Sequence, residues 1–454
     1  MGTEYQFQAG IMMRLRKPSE GSALIRYKGT KGVLSLFSSA GIGELGVKAA
    51  GYDILLSNEL SPDRCALYRV NFPETDCVCG DIWKKKRALI GKWHKKTSRK
   101  PFLLYATPPC QGMSFNGLGK LLSEMRAGRR PKEDPRNRLI IPTVDIISAL
   151  KPEWVVLENV PTMENTVIRT EDDTYEKIVE YILRRLSPEY VGRAEVVNCA
   201  DYGIAQTRVR LITILTRTKK GRAFLKKHGS FLPPRTHSRN GEGGLLPWIT
   251  LRKAIGELPM LSAEEGRNVC EKIPWHVVPV MKKEKFWWVQ NTPPDETAYN
   301  NQCVKCGYKG NQRHGMLFVD GRHQSKKDTP IFCAKCRALL PRPTIIDKKD
   351  GTRRLIKGFD SAYRRMSWDS PSPTLTQNFQ FEASDKKLHP AQNRVLSVYE
   401  GLILQTIADY DYRFEIAGRP IRRNLCCEII GESVPPRLIE MVCRQIDRIS
   451  RHSK

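Results

Sequence analysis

Two side chains of this sequence have the types and the placing for covalent catalysis. Cys110 lies in Pro108-Pro109-Cys110-Gln111-Gly112, just after the apolar run Phe102-Leu103-Leu104-Tyr105. Glu158 opens Glu158-Asn159-Val160, which closes the next such run, Trp154-Val155-Val156-Leu157. Apolar runs of this length read as buried strands, so two strand ends offer a thiol and a carboxyl to one another. A free thiol titrates near about 8.5 and is only a few per cent thiolate at pH 7, yet it is the strongest nucleophile among side chains. It suits attack on a reluctant electrophile that an acid must first activate. Keeping a glutamate protonated near neutrality takes a shift of roughly 2 to 3 units, about 3 to 4 kcal/mol, from burial. Alone, a cysteine is most often a small buried hydrophobe and a glutamate a surface or helix-capping group. The motifs around these two lift them above those readings.

The element that would position a cofactor lies upstream. Val33-Leu34-Ser35-Leu36-Phe37 is followed by small residues, then by Gly41-Ile42-Gly43 and Gly46 opening a helix, then by the strand Ile54-Leu55-Leu56-Ser57. Such a turn brings backbone close to a cofactor, and Glu59 at the second strand's end can take ribose hydroxyls. On this pattern alone a dehydrogenase is a fair rival, because a lone GxGxxG is weak. It leaves everything downstream unexplained.

Downstream, Asp201-Tyr202-Gly203 precedes Gln206-Thr207-Arg208-Val209-Arg210. Ser370-Pro371-Ser372-Pro373-Thr374-Leu375-Thr376 and Ile430-Gly431-Glu432-Ser433-Val434-Pro435 follow. Together with PPCQG and ENV, these segments resemble the DNA (cytosine-5)-methyltransferase family, in that family's order and over most of the chain. The resemblance implies an α/β fold, a Rossmann-like S-adenosylmethionine-dependent methyltransferase domain with a smaller target recognition domain. It implies a site-specific enzyme acting on double-stranded DNA, which flips a cytosine because C5, C6 and N3 cannot all be reached in the stack. Cys110 would attack C6 while Glu158 protonates or hydrogen-bonds N3. C5 then takes the methyl group and loses its proton, and elimination of the cysteine restores the ring. Arg208 and Arg210 would contact the cytosine and its backbone, and Gln111, Ser114 and Asn116 are candidates to fill the gap in the duplex.

For the cofactor, the resemblance implies Phe37 and the turn Ser39, Ala40, Gly41, Ile42 and Gly43 around the methionine part. Glu59 would bind the ribose and Asp81 lie near the adenine, with Pro108, Glu432 and Ser433 completing the pocket. The chain departs from the family pattern D-x-F-x-G-x-G-G when Phe37 is aligned. Ser35 stands for the aspartate, Ser39 for the first glycine and Ile42 for the last. Glu432 replaces the asparagine of I-G-N-x-V-P, which puts a negative charge near a cationic sulfonium.

At 454 residues, 40% of them hydrophobic, the chain can bury a sizeable core and hold two or three domains. A formal net charge of +28 points to a polyanionic partner, since neutralising phosphates releases counterions. The thirteen cysteines accompany no secretory signal: Ile11-Met12-Met13-Arg14-Leu15-Arg16-Lys17 is too short and too charged for one. Gln6 breaks the myristoylation pattern that Met1-Gly2 would start. No run approaches the roughly 18 apolar residues of a membrane span, so a reducing bacterial cytoplasm is expected, with association to the nucleoid through DNA.

Alternation of strand-length runs with helical stretches from Gly32 to Leu215 predicts a parallel sheet covered by helices. The expected organisation is an N-terminal arm over 1–30, a catalytic domain over 31–215, a recognition domain over 216–365 and a C-terminal segment, 366–454, packing back on the catalytic domain. Basic segments lie at Lys84 to Lys100 and between Gln111 and Arg138, the second resembling the family's active-site loop and ending in Arg136-Asn137-Arg138-Leu139. Within the recognition domain, Cys303-x-x-Cys306 and Cys333-x-x-Cys336 have the spacing of a four-thiolate structural Zn(II) site. Lys305 and Lys335 can offset its charge, and His314 or His323 can stand in for a cysteine. This inference rests on spacing and chemistry, because the resemblance does not require a metal.

The enzymatic rival is an RNA cytosine-5 methyltransferase. Against it stand Glu158-Asn159 where the principal RNA families carry a Thr-Cys pair, the lack of Cys-Phe-Thr, and the long insert after the QxRxR segment. The rival from another class is a catalytically silent DNA-binding regulator, which the presence of both thiol and acid opposes. The expected setting is a monomer in a restriction-modification pair, its cognate endonuclease a separate protein, or an orphan methylase.

Overall fold

The computed structural model describes residues 29–109, 134–319, 322–325, 328–356 and 361–451. Cys110, Gln111, Ser114, Asn116 and residues 1–28 of the expected arm lie outside them. Seven strands form one sheet: β1 (Gly32–Leu36), β2 (Asp53–Glu59), β3 (Asp76–Cys79), β4 (Leu103–Ala106), β5 (Trp154–Asn159), β6 (Val191–Asn198) and β7 (Val209–Thr216). They lie in the order β3-β2-β1-β4-β5-β7-β6. The pairs β1 with β2, β2 with β3, β1 with β4 and β4 with β5 are parallel. The sheet is nevertheless mixed, because β7 runs antiparallel to both β5 and β6. The expectation of a parallel sheet fails at this edge for a simple reason. The connection Cys199 to Arg208 is too short for a helical crossover, so Asn198 pairs directly with Val209 in a hairpin.

The central strands β1, β4 and β5 are buried along their whole length, as strands covered on both faces must be. Successive residues point to opposite faces, and the two faces have separate cores. On one side Val33 and Leu103 pack with Leu45 and Val47 of α1 (Ile42–Ala49). On the other, Leu34, Leu36 and Leu104 meet three further helices. These are α3 (Ile82–Lys96), α4 (Ile140–Leu150) and α5 (Ile178–Leu186); α2 (Pro62–Asn71) precedes them at the end of β2.

The chain's last elements return to the first face. In α7 (Pro436–Arg451), which follows α6 (Arg423–Glu432), the residues Leu438, Ile439, Val442, Cys443, Ile446 and Ile449 recur at helical spacing and are buried. They join the core that holds Leu45 and Val47. Gly46 lets α1 and α7 cross closely, since a Cβ there would stand 2.1 Å from the Pro436 carbonyl oxygen. Tyr52 locks the crossing by donating its hydroxyl to the Cys443 carbonyl at 2.7 Å. A further tie is the two-residue pairing of Gln206–Thr207 with Ser372–Pro373.

Phe231, Leu251 and Ile255 belong to this same core. Separate from it, Ala263, Trp288, Val289, Tyr299, Tyr363, Leu388 and Val395 form a smaller cluster, and Cys303, Cys333 and Leu340 a smaller one still. Among the described residues no helix is long and apolar enough to cross a membrane.

Candidate active site

At the carboxyl ends of β1, β2, β4 and β5 lies a cavity of about 730 Å³, the place where open α/β sheets take ligands. Phe37, Ser39, Ile42, Gly43, Glu59, Asp81, Pro108, Glu158, Arg208, Arg210, Glu432 and Ser433 all line it. The chain leaves β1 in a tight turn whose Phe37, Ser39 and Gly41 have φ of 58°, 47° and 90°. Ser39, standing where the family pattern has glycine, thus holds the left-handed conformation glycine favours, a strain of order 1 kcal/mol found where a ligand site is preshaped. The turn fixes Glu59: the N–H groups of Ser39 and Ser61 donate to its two carboxylate oxygens at 2.9 and 2.8 Å.

Two residues of this turn, Ala40 and Gly41, are not among those that line the cavity. Ala40 is buried in the core, its carbonyl accepting from the Tyr412 hydroxyl at 2.7 Å, and Gly41 packs on Phe72. Asp81 lines the cavity and also caps α3, accepting from the Trp83 N–H at 3.0 Å. Ser35 is tied to α1, its hydroxyl donating to Glu44 at 2.5 Å.

Glu158 closes β5 with 7% of its surface exposed. Burial pushes its carboxyl above the usual range, opposed by Arg210 and Arg208. The Arg210 Nε lies 2.9 Å from the Glu158 carboxylate. The two arginines of the QxRxR segment therefore have separate work. Arg208 is fully buried and donates to the carbonyls of Leu375, Gly431 and Glu432, tying the segment to the end of α6. Arg210 is the one that meets the acid.

In the smaller unit, Cys303, Cys306, Cys333 and Cys336 bring all four sulfurs within 4.8 Å of one another. The separations from Cys303 to Cys336 and to Cys306 are 3.6 Å, and from Cys306 to Cys333 3.7 Å, far longer than a disulfide bond. His314 takes no part in this group, bonding Thr329 at 2.7 Å and stacking on Tyr299.

Residues 32–448 match the family model of the C-5 cytosine-specific DNA methylases. The chain belongs to that family. It is a DNA cytosine-5 methyltransferase, and the dehydrogenase reading of its Gly-rich turn is set aside. Among similar proteins, the Type II methyltransferase M1.HgaI of Avibacterium volantium is 30% identical over 422 residues, 91% of this chain and 97% of that protein. The Type II methyltransferase M.XorII of Xanthomonas oryzae pv. oryzae is 29% identical over 429 residues, 92% and 85% of the two chains. The Dnmt2 methyltransferase structure of S. pombe covers 93% of this chain and 100% of its own at a TM-score of 0.51 and 12% identity, a likeness of fold.

The methylase's sequence left two residues of the cavity wall unmarked. Asn159 donates to the Pro108 carbonyl at 3.0 Å and accepts from the Val160 N–H at 2.8 Å, so it ties the acid's strand to the segment leading into Cys110. The available signal was an amide directly after the acid. Arg64, on the first turn of α2, lines the cavity and has no motif to announce it.

Proposed function

We propose that this methylase binds duplex DNA across the cavity at the ends of β1, β2, β4 and β5 and acts there on one cytosine swung out of the stack. The observation that carries this reading is the juxtaposition at β5: a buried Glu158, its carboxyl pushed up by that burial, stands beside Asn159, which holds the Pro108 carbonyl just before Cys110. Attack by the Cys110 thiolate on C6 leaves electron density on the ring, and a proton held by Glu158 at N3 stabilises it. Arg210, bound to Glu158, orients the carboxyl.

The cavity suits S-adenosylmethionine on its own chemistry. The Glu59 carboxylate is held by two backbone N–H groups facing the preshaped turn, ready for a pair of hydroxyls. When bound, the cofactor supplies the methyl group. Phe37, Ser39, Ile42 and Gly43 would enclose its methionine part, with Asp81, Pro108, Glu432 and Ser433 around the rest.

Four thiolates around Zn(II) at about 2.3 Å form a tetrahedron with edges of about 3.8 Å. The sulfur separations of 3.6 to 3.7 Å support such an ion as a structural brace. The brace would serve a target recognition unit whose own core runs from Ala263 to Val395. That core suggests a start nearer residue 258 than 216, because Phe231, Leu251 and Ile255 pack with the catalytic sheet. The bacterial relatives named as Type II methyltransferases support a role in shielding DNA from a separate cognate restriction endonuclease, with the methylase acting as a monomer.

Bisulfite sequencing of unmethylated plasmid after incubation with S-adenosylmethionine tests the reading. Protected cytosines confined to one short sequence are expected with the natural protein, and a loss of about 10⁴-fold or more with Cys110→Ala. Full conversion of the DNA, with transfer to RNA instead, would overturn the choice of substrate. Transfer undiminished in Cys110→Ala would overturn the nucleophile.

A further inference from the structure

Glu432 is the residue by which the last motif departs from its family, and the structure gives it a partner. The Arg64 guanidinium reaches its carboxylate at 2.6 Å, with 20% and 24% of the two side chains exposed. The Gln377 amide donates to the other carboxylate oxygen. The pair joins the start of α2 to the end of α6, and both members line the cavity.

Among the described residues, the remaining cations of the cavity wall are engaged elsewhere. Arg208 donates to main-chain carbonyls, Arg210 pairs with Glu158, and Arg136 pairs with Asp134. Arg64 is thus the cation set beside Glu432, while a guanidinium has five N–H donors and the ion pair occupies one of them. A ligand end bearing both an ammonium and a carboxylate matches such a pair in both signs. S-adenosylmethionine ends in an α-amino acid.

Resting on the cofactor reading above, we propose that Arg64 and Glu432 together bind the amino-acid end of the cofactor, Arg64 taking the α-carboxylate and Glu432 the α-ammonium. The charge that replaces the family's neutral asparagine is thereby matched, and Arg64 is a cofactor-binding residue that the family pattern does not mark. The competing role is a strut that merely holds α2 to α6.

Calorimetric titration of the full chain with two ligands separates the roles. S-adenosylhomocysteine carries the amino-acid end, and 5′-methylthioadenosine has the same adenosine and thioether without it. Arg64→Met is expected to weaken S-adenosylhomocysteine by about 10- to 100-fold, the loss of a charge-assisted hydrogen bond, and to leave 5′-methylthioadenosine unchanged. Arg64→Lys, which keeps the charge, should recover most of that loss. Equal weakening of both ligands would mean a strut, and no weakening of either would remove Arg64 from the site; each overturns the proposal. If the unsubstituted protein binds neither ligand, the cofactor reading itself fails and this inference falls with it.

Discussion

Glu158 and Glu59 stand at the ends of strands in a sheet with an apolar core on either face, and their carboxylates are set by Arg210 and by two backbone N–H groups. Cys303 and its three partners stand on loops whose buried apolar cluster, among the described residues, is Cys303, Cys333 and Leu340 with Cys336 and Ala338 against it. Burial of apolar surface at about 25 cal/mol per Å² can hold the first arrangement without any ligand. So little apolar surface cannot fix the second by packing alone, and the Zn(II) proposed above would supply what packing does not. On that proposal, one region is preorganised by packing and the other by the ion it binds.

The widest test of that contrast is to strip the proposed Zn(II). Chelation at neutral pH, or Cys303→Ser with Cys333→Ser, is expected to unfold the small unit and leave only sequence-independent DNA binding. Specific affinity should fall about 10³-fold or more, while S-adenosylhomocysteine binds as before. Fluorescence anisotropy with specific and scrambled duplexes, alongside elemental analysis for zinc, reads both halves. Parallel loss of cofactor affinity would show that the sheet end also depends on the metal, and the contrast would break.

The converse test leaves binding intact and removes the chemistry. Glu158→Gln should lower single-turnover methyl transfer by about 10² to 10⁴-fold with duplex and cofactor affinities preserved. The pH profile gives the sign. Burial raises the carboxyl's pKa, so the proton-donating form persists to higher pH, and transfer should decline on the alkaline side as that proton is lost. The limb belonging to Glu158 should be absent in the glutamine variant. A profile identical in both proteins would remove Glu158 as the acid.

These two regions were unequally legible in the sequence. The runs ending at Tyr105 and Leu157 gave β4 and β5 because strands buried on both faces read as unbroken apolar stretches. The cysteine spacing brought four sulfurs together on paper because each CxxC is a local turn. What local pattern could not supply was anything joined across the fold. The direction of β7 depends on pairing with both β5 and β6, and Arg64 meets Glu432 only after α6 has been folded onto α2. Arg208 illustrates the same limit. Its motif suggested a substrate contact, yet its guanidinium is taken by carbonyls of segments far along the chain.

Glu44 sharpens the contrast at a smaller scale. It is 2% exposed beneath the cofactor turn, accepts the Ser35 hydroxyl, and burial raises its pKa from 4.5 to about 8. Between those values the folded state keeps a proton that the unfolded state has released. Stability should therefore fall as pH rises through this window, by up to about 1.4 kcal/mol per unit, and level off above pH 8. The proposed Zn(II) site would run the other way, since protonation of its thiolate ligands releases such a metal as pH falls. Glu44→Gln should flatten the neutral-to-alkaline slope of the urea midpoint without altering the acid-side release of zinc. A slope unchanged in that variant would mean that Glu44 ionises with its surroundings, and that the sheet end is less dry than its packing implies.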